Sequence, residues 1–241
     1  MDINRLYGLG LRQAFSKIAL SDYRALRLLW FLLGIDFAFI LLHVAYSVTD
    51  FAPLAENKYA AISTDHGYSE FFQYIKLTGL FLICFTLGYR KQIKLYLAWA
   101  CLFLYMVADD SLRIHERVGR ALAPKFEQSQ FLFLGAKDFG QILTYLVSGL
   151  ILVGIIAVCH YRHPKSNAKY ASTILFIFLA AFAAFSGLID TLHSMAAQIG
   201  TTYGLPLDAI GLGLIEDGGE MVVISGMLWF AWRLYKFEAA S

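Results

Sequence analysis

The sequence predicts an all-α integral membrane protein, and three observations support this fold class. Of the 241 residues, 59% are hydrophobic and only 16% are charged, whereas soluble domains carry about 25% charged residues. The apolar residues gather into long segments, each near the ~20 residues that cross the ~30 Å hydrocarbon core of a bilayer. The four prolines all fall between these segments, as expected because proline breaks helix interiors.

Six transmembrane helices are therefore expected in a single domain, residues 1–241. Their approximate bounds are 26–48, 70–89, 94–114, 139–160, 170–192 and 209–232. The first follows Arg24 and Arg27, and the second ends at a basic turn that precedes the third. The fourth and fifth flank another basic loop, and the sixth ends before Arg233. Residues 1–24 mix basic and apolar side chains, which predicts an interfacial amphipathic helix; a frayed tail explains them equally well.

The distribution of Lys and Arg predicts the orientation. Basic residues concentrate before the first segment, in the loops after the second and fourth segments, and after the sixth. The positive-inside rule then places both termini in the cytoplasm, in a protein integral to the plasma (inner) membrane. The loop at 113–137 is an exception, because it is basic but lies on the opposite side.

Several function classes are excluded. A net charge of +2 and the lack of a basic stripe argue against nucleic acid as a partner. The three cysteines lack zinc-site spacing, and neither a phosphate-binding loop nor a Gly-x-Ser-x-Gly element occurs. Membrane lipid is the expected surrounding.

Ionisable residues inside the apolar segments are the most informative feature, because a charge in hydrocarbon persists only when it is paired, hydrated or bound to a cation. Counted from the basic ends at 1.5 Å per residue, Asp109, Lys76 and Glu220 lie about 20–22 Å deep, and Asp36 about 14 Å. Charged groups from different helices therefore share one layer in the outer leaflet. A salt-bridge network is the structural alternative, with Asp109 and Arg113 as an i,i+4 pair.

Carboxylates and histidines delivered by several helices resemble the ligand inventory of a di-metal bundle site. The predicted metal is Fe, Mn or Zn, although an oxygen-rich set favours the harder ions. The predicted ligands are Asp109, Glu116, Asp190, His193, Glu216 and Glu220, with His43 and His115 in supporting or alternative positions. Lys76 and Arg113 would orient a substrate anion, and Asp110 would act beside the metal.

Three functions fit these residues. The first is a membrane metalloenzyme, a hydrolase or a di-metal oxidoreductase, that acts on a lipidic substrate. The second is a proton or divalent-cation transporter, with Asp36 as a stepping stone toward the cytoplasm. The third is a non-catalytic subunit that docks a membrane-protein partner or a second copy of itself.

Three local questions follow from the spacing. His115 lies more than 100° from Asp109 on a regular helix, so either the helix is distorted or His115 faces elsewhere. The sixth segment is rich in glycine, which predicts close helix packing or, alternatively, a broken helix that binds a cation. The apolar stretch 131–134 is a candidate lid over the outer pocket.

Overall fold

The computed structural model describes residues 23–48, 56–126, 135–164, 167–193, 195–196 and 211–240. Within these ranges the chain is all-helical, with seven α-helices and no strand. The helices are α1 (Tyr23–Val48), α2 (Tyr68–Lys91), α3 (Lys94–Leu112), α4 (Ile114–Phe126), α5 (Ala136–Arg162), α6 (Asn167–Ala183) and α7 (Leu212–Ala240). A 3₁₀ turn, Lys58–Ala60, follows α1, and a π-helix, Ala184–Ile189, extends α6. The predicted interfacial helix and the candidate lid fall outside the described residues.

Five of the helices are long and apolar enough to cross a membrane: Leu26–Val48, Tyr68–Lys91, Lys94–Leu112, Ala136–Arg162 and Asn167–His193. The all-helical, membrane-type fold is thereby confirmed. The sixth predicted segment forms α7, whose 29 residues extend about 44 Å at 1.5 Å per residue. Because α7 contains several acidic and basic residues, it is not among the five membrane-type helices. The sixth span and the orientation of the protein stay predictions.

The packed core occupies the half of the bundle that contains the turn between α2 and α3. It is built mainly from α2, α3, α6 and α7, with Ile156 of α5, and contains fully enclosed side chains such as Leu80, Trp99 and Met227. The indole N–H of Trp99 donates to the Ser172 hydroxyl at 2.9 Å and links α3 to α6 inside this core. The ionisable residues of the candidate site lie toward the opposite ends of these helices, beyond the apolar packing.

Two helices stand at the margin of the bundle. α1 packs mainly against α7, and α5 packs against α3 and α4. Both present large apolar side chains outward, among them Trp30, Val48, Leu150 and Ile151. Such surfaces suit contact with lipid tails, which explains how these helices leave so much apolar area uncovered.

The glycines of α7 serve helix packing, because the helix is continuous from Leu212 to Ala240. A Cβ at Gly219 would overlap the Phe185 ring, and one at Gly226 would lie 2.9 Å from the Phe178 ring. Both rings belong to α6 and its π-helical extension, so the missing side chains let these helices approach closely. Of the two interpretations of this segment, the structure supports the packing one.

Candidate functional site

The helical path breaks at Arg113, between α3 and α4. Arg113 adopts a left-handed conformation with φ of 52°, and its N–H points back to the carbonyls of Asp109 and Asp110. A residue of this kind ends a helix and redirects the chain. The helix is therefore distorted between Asp109 and His115, which is one of the two alternatives that their spacing left open. The distortion turns His115 back toward Asp109.

Asp109 and His115 form a two-point contact across this break. Asp109 Oδ1 accepts the His115 backbone N–H at 3.0 Å, and Oδ2 lies 2.9 Å from His115 Nδ1. Asp109 is 2% exposed, and the Tyr105 hydroxyl also approaches its Oδ1, at 3.4 Å. Asp109, Asp110 and His115 each have one possible ligand atom within 4.8 Å of a ligand atom of the other two residues. Two carboxylates and an imidazole at this separation can bind one divalent cation.

A second carboxylate–histidine contact joins the helical turn after the π-helix to α7. His193 Nδ1 is 3.3 Å from Glu216 Oε2, and Gly213 leaves room for the ring, since a Cβ there would lie 3.2 Å from His193 Cε1. Asp190, three residues before His193, interacts electrostatically with Glu216. The π-helix ends at Ile189, directly before Asp190, and such segments are frequent at functional sites.

Glu220 on α7 connects the two groups electrostatically. It interacts with Asp110 of the first group and with Asp190 and Glu216 of the second. Asp190 in turn interacts with His115. Acidic side chains from α3, from the helical turn after the π-helix and from α7 therefore interact in one region.

The other predicted site residues have partners outside these contacts. Arg113 forms an ion pair with Asp65 of the loop before α2. Glu116 pairs with Arg120 one turn later, at 3.3 Å. His43 Nδ1 accepts the N–H of Ile62 at 3.2 Å, which ties α1 to the same loop.

Lys76 pairs with Asp36 rather than with the acidic residues of α3 and α7. Its Nζ donates to Asp36 Oδ1 at 2.8 Å, to the Met221 carbonyl at 2.9 Å and to Ser225 Oγ at 3.2 Å. The Ser225 hydroxyl donates to Asp36 Oδ2 at 2.5 Å. All three side chains are fully buried. Charge and hydrogen bonds are thus satisfied inside a network that joins α1, α2 and α7.

Sequence reasoning missed the tyrosines, although it placed Glu70 in a polar tier at the outer boundary. The Tyr145 ring stacks on His115 with centroids 4.8 Å apart, and Glu70 accepts from the Tyr74 hydroxyl at 2.5 Å. Glu70 also interacts electrostatically with Asp110. The i,i+4 spacing of Glu70 with Tyr74 was visible in the sequence, whereas no local pattern could place Tyr145, which lies on another helix.

Residues 25–234 match the family model described as "Domain of unknown function (DUF8692)". The chain belongs to this family. No curated protein and no solved structure matches the sequence.

Proposed function

We propose that this member of the family is a membrane metalloprotein that binds a divalent metal, Fe, Mn or Zn, through Asp109, Asp110 and His115. The closeness of these three ligand groups is the observation that carries the proposal. Asp109 and Asp110 precede the turn at Arg113 and His115 follows it, so the left-handed residue brings the three ligand groups together. The Tyr105 hydroxyl approaches the Asp109 carboxylate, and the Tyr145 ring stacks on the His115 imidazole.

Charge balance supports a bound cation. Glu220 interacts with the carboxyl groups of both Asp110 and Asp190, and like charges in such a group are costly away from bulk water. Three nearby cations are engaged elsewhere: Lys76 with Asp36, Arg113 with Asp65 and Arg120 with Glu116. Among the described residues, Lys137 is the basic side chain that interacts with Asp190, and it is exposed. A dication between the acidic residues would offset their repulsion more fully.

The second contact extends the proposed ligand set. Asp190, His193 and Glu216 would form a second set of ligands, and Glu220, which interacts with Asp110, Asp190 and Glu216, would serve both sets. Carboxylates shared between helices are typical of di-metal bundle sites. In this proposal the site opens to the outer face of the plasma membrane, with six spans and both termini in the cytoplasm.

The proposed activity is that of an enzyme acting on a lipidic substrate. A metal at such a site supplies Lewis acidity and an activated water for hydrolysis or, if it is iron, a position for dioxygen. Asp110 would bind the metal through one carboxylate oxygen, and its other oxygen would accept a proton from the attacking water. Exposed apolar surfaces on α1 and α5 would let a membrane-dissolved substrate approach from the bilayer.

The transporter alternative loses its main support in this arrangement. Asp36 was its stepping stone, and it is held by Lys76 and Ser225 with no exposed surface. The metalloenzyme is therefore the function we favour.

Metal analysis of the purified protein tests the proposal. The protein, purified in mild detergent without chelator, is expected to contain at least one Fe, Mn or Zn per chain by elemental mass spectrometry. His115→Gln should remove this metal. His160→Gln is the matched control, because His160 contacts Ser172 on the core side and lies apart from the acidic residues. Wild-type protein without stoichiometric metal after reconstitution with all three ions, or equal content in both variants, would refute the site.

A further inference from the structure

A second polar feature lies on α7, at the end of the bundle opposite to the acidic residues. Arg233 is 8% exposed, and its guanidinium carbon lies 6.0 Å from the centre of the Trp229 ring, one helical turn away. Neither Arg233 Nη1 nor Trp229 Nε1 has a hydrogen-bond partner, although both atoms are buried. This pair plays no part in the proposed metal site.

Both groups are obligate donors. Guanidinium and indole nitrogens carry N–H groups and no acceptor, and buried polar groups in folded proteins nearly always find a partner. Arg233 Nη1 and Trp229 Nε1 are buried donors without a partner, and the guanidinium is also a cation. The two groups therefore indicate a missing acceptor. A negatively charged acceptor satisfies the hydrogen bonds and the charge together.

The nearest carboxylate on the same helix does not fill this role. Glu238 follows Arg233 by five residues, which places it about 140° around α7. It lies instead 4.0 Å from Lys91 at the end of α2. In the part of the chain that the structure describes, no ion pair to Arg233 is found.

The surroundings are those of a membrane interface. Trp232 and Tyr235 stack with centroids 5.9 Å apart, and Lys236 Nζ lies 5.5 Å from the Trp232 ring centre. Aromatic and basic side chains together mark the headgroup level, and basic pockets between membrane helices bind anionic lipid headgroups. Guanidinium groups also match the geometry of phosphate oxygens, to which they donate in pairs.

We propose that Arg233 and Trp229 form a phosphate-binding site, which an anionic phospholipid occupies through its headgroup phosphate. The guanidinium donates to the phosphate oxygens, and the indole N–H donates to the same group. The lipid chains then lie along the apolar surface of the bundle.

Lipid titration followed by native mass spectrometry tests this site. Delipidated protein in detergent is titrated with phosphatidylglycerol and, separately, with inorganic phosphate. Arg233→Met should weaken phosphatidylglycerol binding about tenfold or more, the loss of a charged hydrogen-bond partner. Arg90→Met is the matched control, since Arg90 is an exposed arginine near the end of α2, and it should leave the affinity unchanged.

Trp229→Phe keeps the ring and removes the N–H, so a smaller loss of affinity in this variant supports the site even if Arg233→Met fails to fold. Displacement of the lipid by millimolar inorganic phosphate would identify a site for free phosphate, whereas resistance to it identifies the lipid as the source; both agree with a phosphate site. Equal lipid affinity of wild type, Arg233→Met and Trp229→Phe would overturn the proposal. So would the failure of both ligands to bind the wild-type protein.

Discussion

Replacing Lys76 with methionine is expected to destabilise the bundle strongly. Methionine has nearly the length of lysine, so the variant removes the charge and the three hydrogen bonds of Nζ with little change in packing. Asp36 would remain fully buried, with the Ser225 hydroxyl as its one hydrogen-bond donor in the network. A buried carboxylate that loses its cation is among the most costly defects in a protein interior.

The expected loss in free energy of unfolding is about 3–5 kcal/mol, the range for breaking one side of a buried ion pair. This corresponds to a change of roughly 150- to 4,000-fold in the unfolding equilibrium constant. Asp36→Asn combined with Lys76→Met removes both charges and keeps an acceptor for Ser225. The double variant should therefore be more stable than Lys76→Met alone, by about 1 kcal/mol or more.

Equilibrium unfolding in mixed detergent micelles, followed by tryptophan fluorescence, provides the measurement. Lys91→Met is the matched control on the same helix, because Lys91 is 35% exposed and its contact with Glu238 is long, at 4.0 Å. Such a pair contributes about 1 kcal/mol or less. The reasoning is refuted if Lys76→Met is no less stable than Lys91→Met, or if the double variant is the least stable of the three.

Two further variants test the packing and the turn. Gly219→Ala should destabilise the protein by about 1–3 kcal/mol, because the added Cβ meets the Phe185 ring. Gly149→Ala is the control and should be neutral, because a Cβ at Gly149 meets open space. Equal thermal midpoints of the two variants in detergent would contradict this account. Arg113→Gly should keep the left-handed turn and therefore the metal content that depends on His115, whereas Arg113→Val should lose it, because a β-branched residue is strained at positive φ. Equal metal content in the two Arg113 variants would contradict the proposed role of the turn.

The positions of the helices were largely readable in the sequence. Long apolar segments bounded by basic residues predicted six membrane helices. Five of them are membrane-type helices whose ends agree with the prediction within a few residues, since hydrophobic length and charge placement act locally. The third helix ends earlier than predicted, at Leu112 rather than 114, because Arg113 turns the chain. Arg113 also forms an ion pair with Asp65 of the loop before α2, a contact that the sequence pattern does not predict.

The candidate site was predicted in part. Residue types and depth indicated that carboxylates from different helices share one region, and the interactions of Glu220 with Asp110 and Asp190 agree with this. The pairing within that region could not be predicted, because it depends on how each helix is rotated about its axis. Lys76 illustrates this, since a depth estimate alone placed it among the acidic residues of α3 and α7.

The sequence by itself determined that the helices are of membrane type, how long each apolar segment is and which kinds of ionisable group lie within these segments. Those properties follow from composition and spacing, which do not depend on how the helices pack. Only the tertiary structure decided that Lys76 pairs with Asp36, that His115 turns back to Asp109 and that Tyr145 stacks on His115. The reason is physical: side-chain contacts between helices depend on rotation, glycine-mediated approach and breaks in helical geometry, and these are settled when the whole bundle packs.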